Sequence, residues 1–151
     1  MFGRLLYDEY KVPIGLIATS WGGTRVEAWS SPAALANCGL KHHEEPKSPQ
    51  NSYSVLWNAM ICPFLNMTIK GAIWYQGEAN SLYNSEIYSG TFPEMINDWR
   101  KKWCEGTGGS TDQMFPFGFV QVIVDLVPEK NILRMFPLET LPSNIPVSQT
   151  Q

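Results

Sequence analysis

The sequence predicts an α/β domain built on a parallel sheet. Three short apolar runs, Val12 to Thr19, Gly71 to Tyr75 and Phe117 to Leu126, are each too brief for a helix, and segments of near-helical spacing separate them. Apolar strands alternating with helical segments favour parallel pairing through right-handed crossovers. The middle run also ends abruptly in Gln76-Gly77-Glu78-Ala79-Asn80. At the carboxyl end of a parallel strand such polar groups project into the ligand crevice, and Gly77 lets the backbone turn there.

Each element has a local reason. Val12 to Thr19 is apolar and β-branched, with Pro13 at its start where a missing donor is tolerated. It leads into Ser20-Trp21-Gly22-Gly23-Thr24, where paired glycines allow backbone amides to be exposed at a strand end. Arg25 to Leu35 carries an uneven apolar face and is made short or broken by Pro32. The stretch from Asn37 to Ser52 is rich in turn residues and is expected to be a surface loop. Tyr53 to Met67 has helical spacing interrupted at Pro63. Phe92 to Trp103 is the clearest helix, with Thr91 as N-cap, Pro93 in the first turn and Arg100, Lys101 and Lys102 at the C-terminal end. Cys104 to Asp112 is expected to be a loop, and beyond Leu126 a proline-punctuated, increasingly polar stretch is expected to be disordered. The domain is therefore placed at residues 6–126 and the divergent tail at 127–151.

Composition narrows the function. The chain has 151 residues, which makes one domain the default. A net charge of -3 gives no electrostatic ground for a nucleic-acid or anionic-membrane partner, and no apolar run approaches a membrane span. Asp8 and Glu9 follow Leu5 and Leu6 too soon for a signal-peptide core, so no export signal is expected in these residues. Cys38, Cys62 and Cys104 give neither a zinc spacing nor a complete disulfide framework. His42 and His43, the only histidines, lie in the polar loop with nothing nearby to complete a ligand set. No metal and no cofactor are expected. Asn66-Met67-Thr68 is a glycosylation sequon, relevant if the chain meets the secretory pathway.

Two chemical readings stand beside that of an ordinary capped strand end. Ala18-Thr19-Ser20-Trp21-Gly22 imitates a strand-turn-helix serine elbow with Ala in place of the first glycine, which would make Ser20 a nucleophile. The histidines follow Ser20 closely instead of ending the chain order serine, acid, histidine. The other reading places a polar crevice at the glycine loop and the Gln76 cluster.

The blocks T-S-W-G-G-T-R-V-E-A-W (Thr19 to Trp29), S-V-L-W-N-A-M (Ser54 to Met60), I-W-Y-Q-G-E-A-N (Ile73 to Asn80) and F-P-E-M-I-N-D-W-R (Phe92 to Arg100) together resemble the sialate O-acetylesterases of the SGNH esterase group. The likeness covers about Leu6 to Gln121 and includes F-P-F-G at Phe115 to Gly118. It implies a partial flavodoxin-like (SGNH hydrolase) three-layer sandwich with a parallel sheet, and O-acetylated sialic acid as the substrate.

The resemblance also implies roles for individual residues. Gly22, Gly23 and Gln76 fall on the oxyanion hole, with Asn80 a second candidate for the side-chain donor, because neutral N–H groups suit developing negative charge. Glu78 and Asn80 are the substrate-binding candidates, and Glu78, an acceptor when ionised, suits a substrate hydroxyl or the orientation of Gln76. The resemblance implies a lysosomal or secreted location, where the Asn66 sequon becomes a candidate glycosylation site, although such triplets also occur by chance. The family's nucleophile lies in a G-Q-S-N-M-like block and its acid and base in a D-x-x-H-like block, and neither occurs in this sequence. The expectation is a middle fragment without nucleophile or base, inactive alone. A non-catalytic carbohydrate-binding or regulatory fragment, and a hydrolase using Ser20, remain as alternatives.

Overall fold

The computed structural model of the chain describes residues 2–40, 48–122 and 133–136. Helix α1, Phe2–Tyr10, comes first and buries none of its residues. Two short helices follow the glycine loop, α2 at Val26–Trp29 and α3 at Pro32–Asn37. The break between them is the one Pro32 demands: it occupies the first turn of α3, and the Ser31 hydroxyl caps that helix by accepting the Ala34 N–H at 3.2 Å. The next segment tightens into a π-helical stretch at Trp57–Ile61 and a 3₁₀ turn at Cys62–Phe64 that contains Pro63. Strand β1, Ala72–Tyr75, is followed by α4, Glu78–Ser81, and α5, Ser85–Gly106. Strand β2, Phe117–Val122, completes a βαβ unit, and β3, Leu133–Phe136, closes the sheet order β1-β2-β3.

β1 and β2 pair in parallel from Ala72 opposite Phe117 to Tyr75 opposite Val120, as the alternation of strand and helix requires. β3 lies antiparallel to β2. This strand falls inside the stretch expected to be a disordered tail; the other tail residues, and the end of the predicted strand at 123–126, lie outside the described residues.

Trp74 on β1 is the centre of an aromatic core. Its ring meets Trp99 edge-on at 5.7 Å and Trp29 edge-on at 6.0 Å, with Phe92 at 5.9 Å and Phe117 at 6.4 Å. Such pairs add favourable quadrupole geometry to the area they bury. One face of the sheet is thus covered by α2, α5 and the Trp57–Ile61 stretch. On the opposite face Ile73 is 56% and Tyr75 66% exposed, so among the described residues the third layer is not formed. The architecture is a partial α/β fold of SGNH type.

Three expectations are corrected. Val12 to Thr19 is not a strand: no ladder forms there, and Val12, Leu16 and Ile17 are all about half or more exposed. Pro13 offers no donor and Gly15 no side chain, and the segment rests on α1, where Leu16 comes so close that a methyl at Gly3 would lie 2.9 Å from it. The long helix does not begin at Thr91 or Phe92 but at Ser85, and Pro93 lies in its interior. Thr91 does not cap; its hydroxyl donates back to the Ile87 carbonyl at 2.9 Å. An interior proline costs about 3 kcal/mol. Burial of Phe92, Met95, Ile96 and Trp99 on the same face, with Phe92 stacked on Tyr88 at 5.4 Å, outweighs that local cost. The helix also runs through Cys104 to Gly106, residues expected to belong to a loop.

Candidate functional site at the end of strand β1

Gly22 and Gly23 form an exposed turn, and Gly23 takes φ +72°, a conformation that favours glycine. Among the described residues neither glycine N–H donates a hydrogen bond. The turn is held at both ends. Thr24 donates its hydroxyl to the Trp21 carbonyl at 2.6 Å and accepts the Trp29 indole N–H at 2.9 Å. Asn51, buried, accepts the Arg25 N–H at 2.9 Å and donates to the Gly23 carbonyl at 3.3 Å.

The end of β1 is tied to this turn by side-chain amides whose orientation follows from one backbone group. The Val26 N–H requires an acceptor and finds Asn80 Oδ1 at 2.9 Å. That fixes Asn80 Nδ2 on the other side, where it donates to Glu27 Oε2 at 2.9 Å. With Asn80 Oδ1 an acceptor, Gln76 must present its nitrogen, and Nε2 donates to Asn80 Oδ1 at 2.7 Å and to the Thr24 carbonyl at 3.0 Å. Gln76 Oε1 is left to accept the Tyr88 hydroxyl at 3.1 Å. The second oxygen of Glu27 accepts Asn84 Nδ2 at 3.2 Å, from a residue at φ +56°. Arg25 stacks over the Tyr83 ring, 3.7 Å from its centroid.

The predicted residues therefore have distinct surroundings. Gly22, Gly23 and Gln76 converge on one rim. Both amide protons of Gln76 are directed at Thr24 and Asn80, so in this arrangement the open donors are the glycine N–H groups. Asn80 is only 1% exposed and is an anchor of the rim, out of a ligand's reach. Glu78 is exposed in the first turn of α4, and Gly77 before it takes φ +147°. Ser20 is exposed, and its hydroxyl meets no hydrogen-bond partner among the described residues. His42 and His43 lie outside the described residues. Asn66 is exposed beyond the Cys62–Phe64 turn.

Sequence reasoning passed over Arg25, Glu27, Asn51 and Tyr88. Glu27 alone carried a signal, a carboxylate between Val26, Ala28 and Trp29 that is 1% exposed in the fold. Burial pushes the Tyr88 phenol up to about 12, and burial followed by the nearby Glu27 carboxylate pushes Tyr53 to about 12. Among the described residues no group of acids, histidines and cysteines gathers to hold a metal, and no helix is long and apolar enough to cross a membrane.

The parallel βαβ unit, with a glycine turn and an amide cluster at the strand end, is part of an α/β scaffold of SGNH type. The family description "carbohydrate esterase, sialic acid-specific acetylesterase" matches residues 1–107, and the chain belongs to that family. It is 52% identical over 132 residues to the sialate O-acetylesterases of Homo sapiens and Pongo abelii, alignments covering 83% of this chain and 25% of each relative. To the sialate O-acetylesterase of Mus musculus it is 43% identical over 152 residues, covering 81% of this chain and 28% of that protein. The chain thus spans about a quarter of the length of the curated relatives it matches.

Proposed function

We propose that this chain supplies the oxyanion-side wall of a carboxylic ester hydrolase site acting on O-acetyl groups of sialic acids, and that alone it does not turn over. The observation that carries the reading is the tie between Gln76 Nε2 and the Thr24 carbonyl at 3.0 Å, which sets the open Gly22 and Gly23 amides beside the end of β1. Preorganised N–H donors of this kind stabilise the negative oxygen formed when an acetyl ester is attacked. Gln76 and Asn80 hold the turn, and exposed Glu78 accepts from a sugar hydroxyl. An acetylated sialic acid as substrate, passage through the secretory pathway to a lysosomal or secreted location, and Asn66 as a sugar acceptor there, belong to the same proposal.

Hydrolysis also needs a nucleophile and a base that activates it. The sequence has neither a G-Q-S-N-M-like nor a D-x-x-H-like block, and the Ser20 hydroxyl makes no hydrogen bond to a base among the described residues. The test is release of acetate from an O-acetylated sialic acid by the purified chain, beside Ser20→Ala and a His42→Ala/His43→Ala double variant. Background rates for all three are expected. Robust turnover lost in both variants would make Ser20 the nucleophile and overturn the proposal.

A further inference from the structure

The rim carries a guanidinium that the ester chemistry does not use. Arg4 pairs with Asp8 at 3.6 Å, and buried Arg100 gives Nε and an Nη to the Phe115 carbonyl at 3.1 and 3.0 Å. Among the described residues Arg25, by contrast, has no carboxylate within ion-pair distance, and its guanidinium makes no hydrogen bond. Its guanidinium carbon lies over the Tyr83 ring, 3.7 Å from the centroid, a cation–π contact that consumes none of its N–H donors in a hydrogen bond.

We infer that Arg25 is a specificity-determining residue that takes the carboxylate of an acidic sugar. Three observations support this. Its backbone is fixed, because the Arg25 N–H is held by Asn51 Oδ1 at 2.9 Å and the same Asn51 holds the Gly23 carbonyl. Stacking on Tyr83 restricts the long side chain before any ligand arrives, which reduces the ordering cost of binding. Its backbone also belongs to the rim, one residue along the chain from the Thr24 carbonyl that receives Gln76 and two from Gly23. The nearest acid in sequence, Glu27, does not neutralise it: both Glu27 oxygens are committed to Asn80 and Asn84, and its side chain is buried. A chain of net charge -3 does not attract anions at long range, so recognition of an acid there requires a local cation with a planar, bidentate donor edge.

The inference rests on the sialic acid reading above, and its test separates the two. An O-acetylated sialic acid and its carboxylate methyl ester are titrated into the full chain, followed through indole fluorescence; Trp21, 54% exposed, flanks the rim. The acid is expected to bind about tenfold more tightly than the ester, the loss typical of one charge-assisted contact. Arg25→Gln, which keeps most of the length without the charge, should abolish that preference by weakening the acid alone, and Arg25→Lys should restore part of it. Equal binding of acid and ester to the unaltered chain, or a preference that survives in Arg25→Gln, overturns the role of Arg25 and leaves the substrate reading standing. Failure of both sugars to bind overturns the substrate reading and this inference with it.

Discussion

Asn80 Oδ1 accepts from Val26 N–H at 2.9 Å and from Gln76 Nε2 at 2.7 Å, so one buried oxygen joins helix α2 to the end of β1. Removing it orphans a buried backbone donor and Glu27 Oε2 at once, each costing about 1–3 kcal/mol. Asn80→Ala is therefore expected to lower unfolding stability by about 3 kcal/mol or more. Gln76 is half-buried, and water can replace some of its bonds, so Gln76→Ala should cost about 1–2 kcal/mol. Denaturant unfolding of both variants checks the order; a smaller loss at Asn80 would show that it is not the anchor.

The same geometry separates two adjacent glycines. A methyl at Gly22 or at Gly23 meets nothing within 4 Å, but only Gly23 has φ in the left-handed region, at +72°. Gly23→Ala should destabilise by about 1–2 kcal/mol through backbone strain, and Gly22→Ala should leave the melting temperature nearly unchanged. If both variants melt alike, the turn does not hold Gly23 in that conformation.

Tyrosine ionisation gives a pH signature. Tyr53 and Tyr88 have phenols raised from 10 to about 12 by burial, so the folded chain keeps protons that the unfolded chain releases. Their contribution to stability is fully present below pH 10 and is lost as pH rises from about 10 to about 12. Denaturant midpoints measured across this window should fall, and Tyr88→Phe should make the fall shallower. An unchanged slope in that variant would mean Tyr88 ionises like an exposed phenol.

The rim was legible in the sequence because its parts are punctuated locally. Two glycines after one apolar run and Q-G-E-A-N after another are short patterns, and Pro32 and Pro63 mark real changes of conformation. What was not legible depends on partners far along the chain. Glu27 meets Asn80 and Asn84, and Tyr88 closes on Gln76 only once α5 is packed. Pro93 misplaced the start of α5 because a local helix-breaking rule lost to aromatic burial that only the fold displays. Val12 to Thr19 has strand composition, but composition supplies no neighbour for its backbone bonds.

The open face of the sheet leads to the last expectation. β1 stands at one end of the strand order, so its outer edge is unpaired among the described residues, and Ile73 and Tyr75 are 56% and 66% exposed beside it. Leu16, 66% exposed, and Ile17, 49% exposed, add apolar surface on the unpaired segment before the glycine turn. An unpaired edge next to exposed apolar side chains is a template for association between copies. The isolated chain is expected to bind a hydrophobic fluorescent dye in its native state and to sediment with concentration-dependent mass. Ile73→Lys places a charge on that face without touching the Trp74 side of the strand, so it should reduce both signals while leaving secondary structure intact. If the dye signal and sedimentation are the same in Ile73→Lys as in the unaltered chain, the β1 face is not the surface through which copies meet.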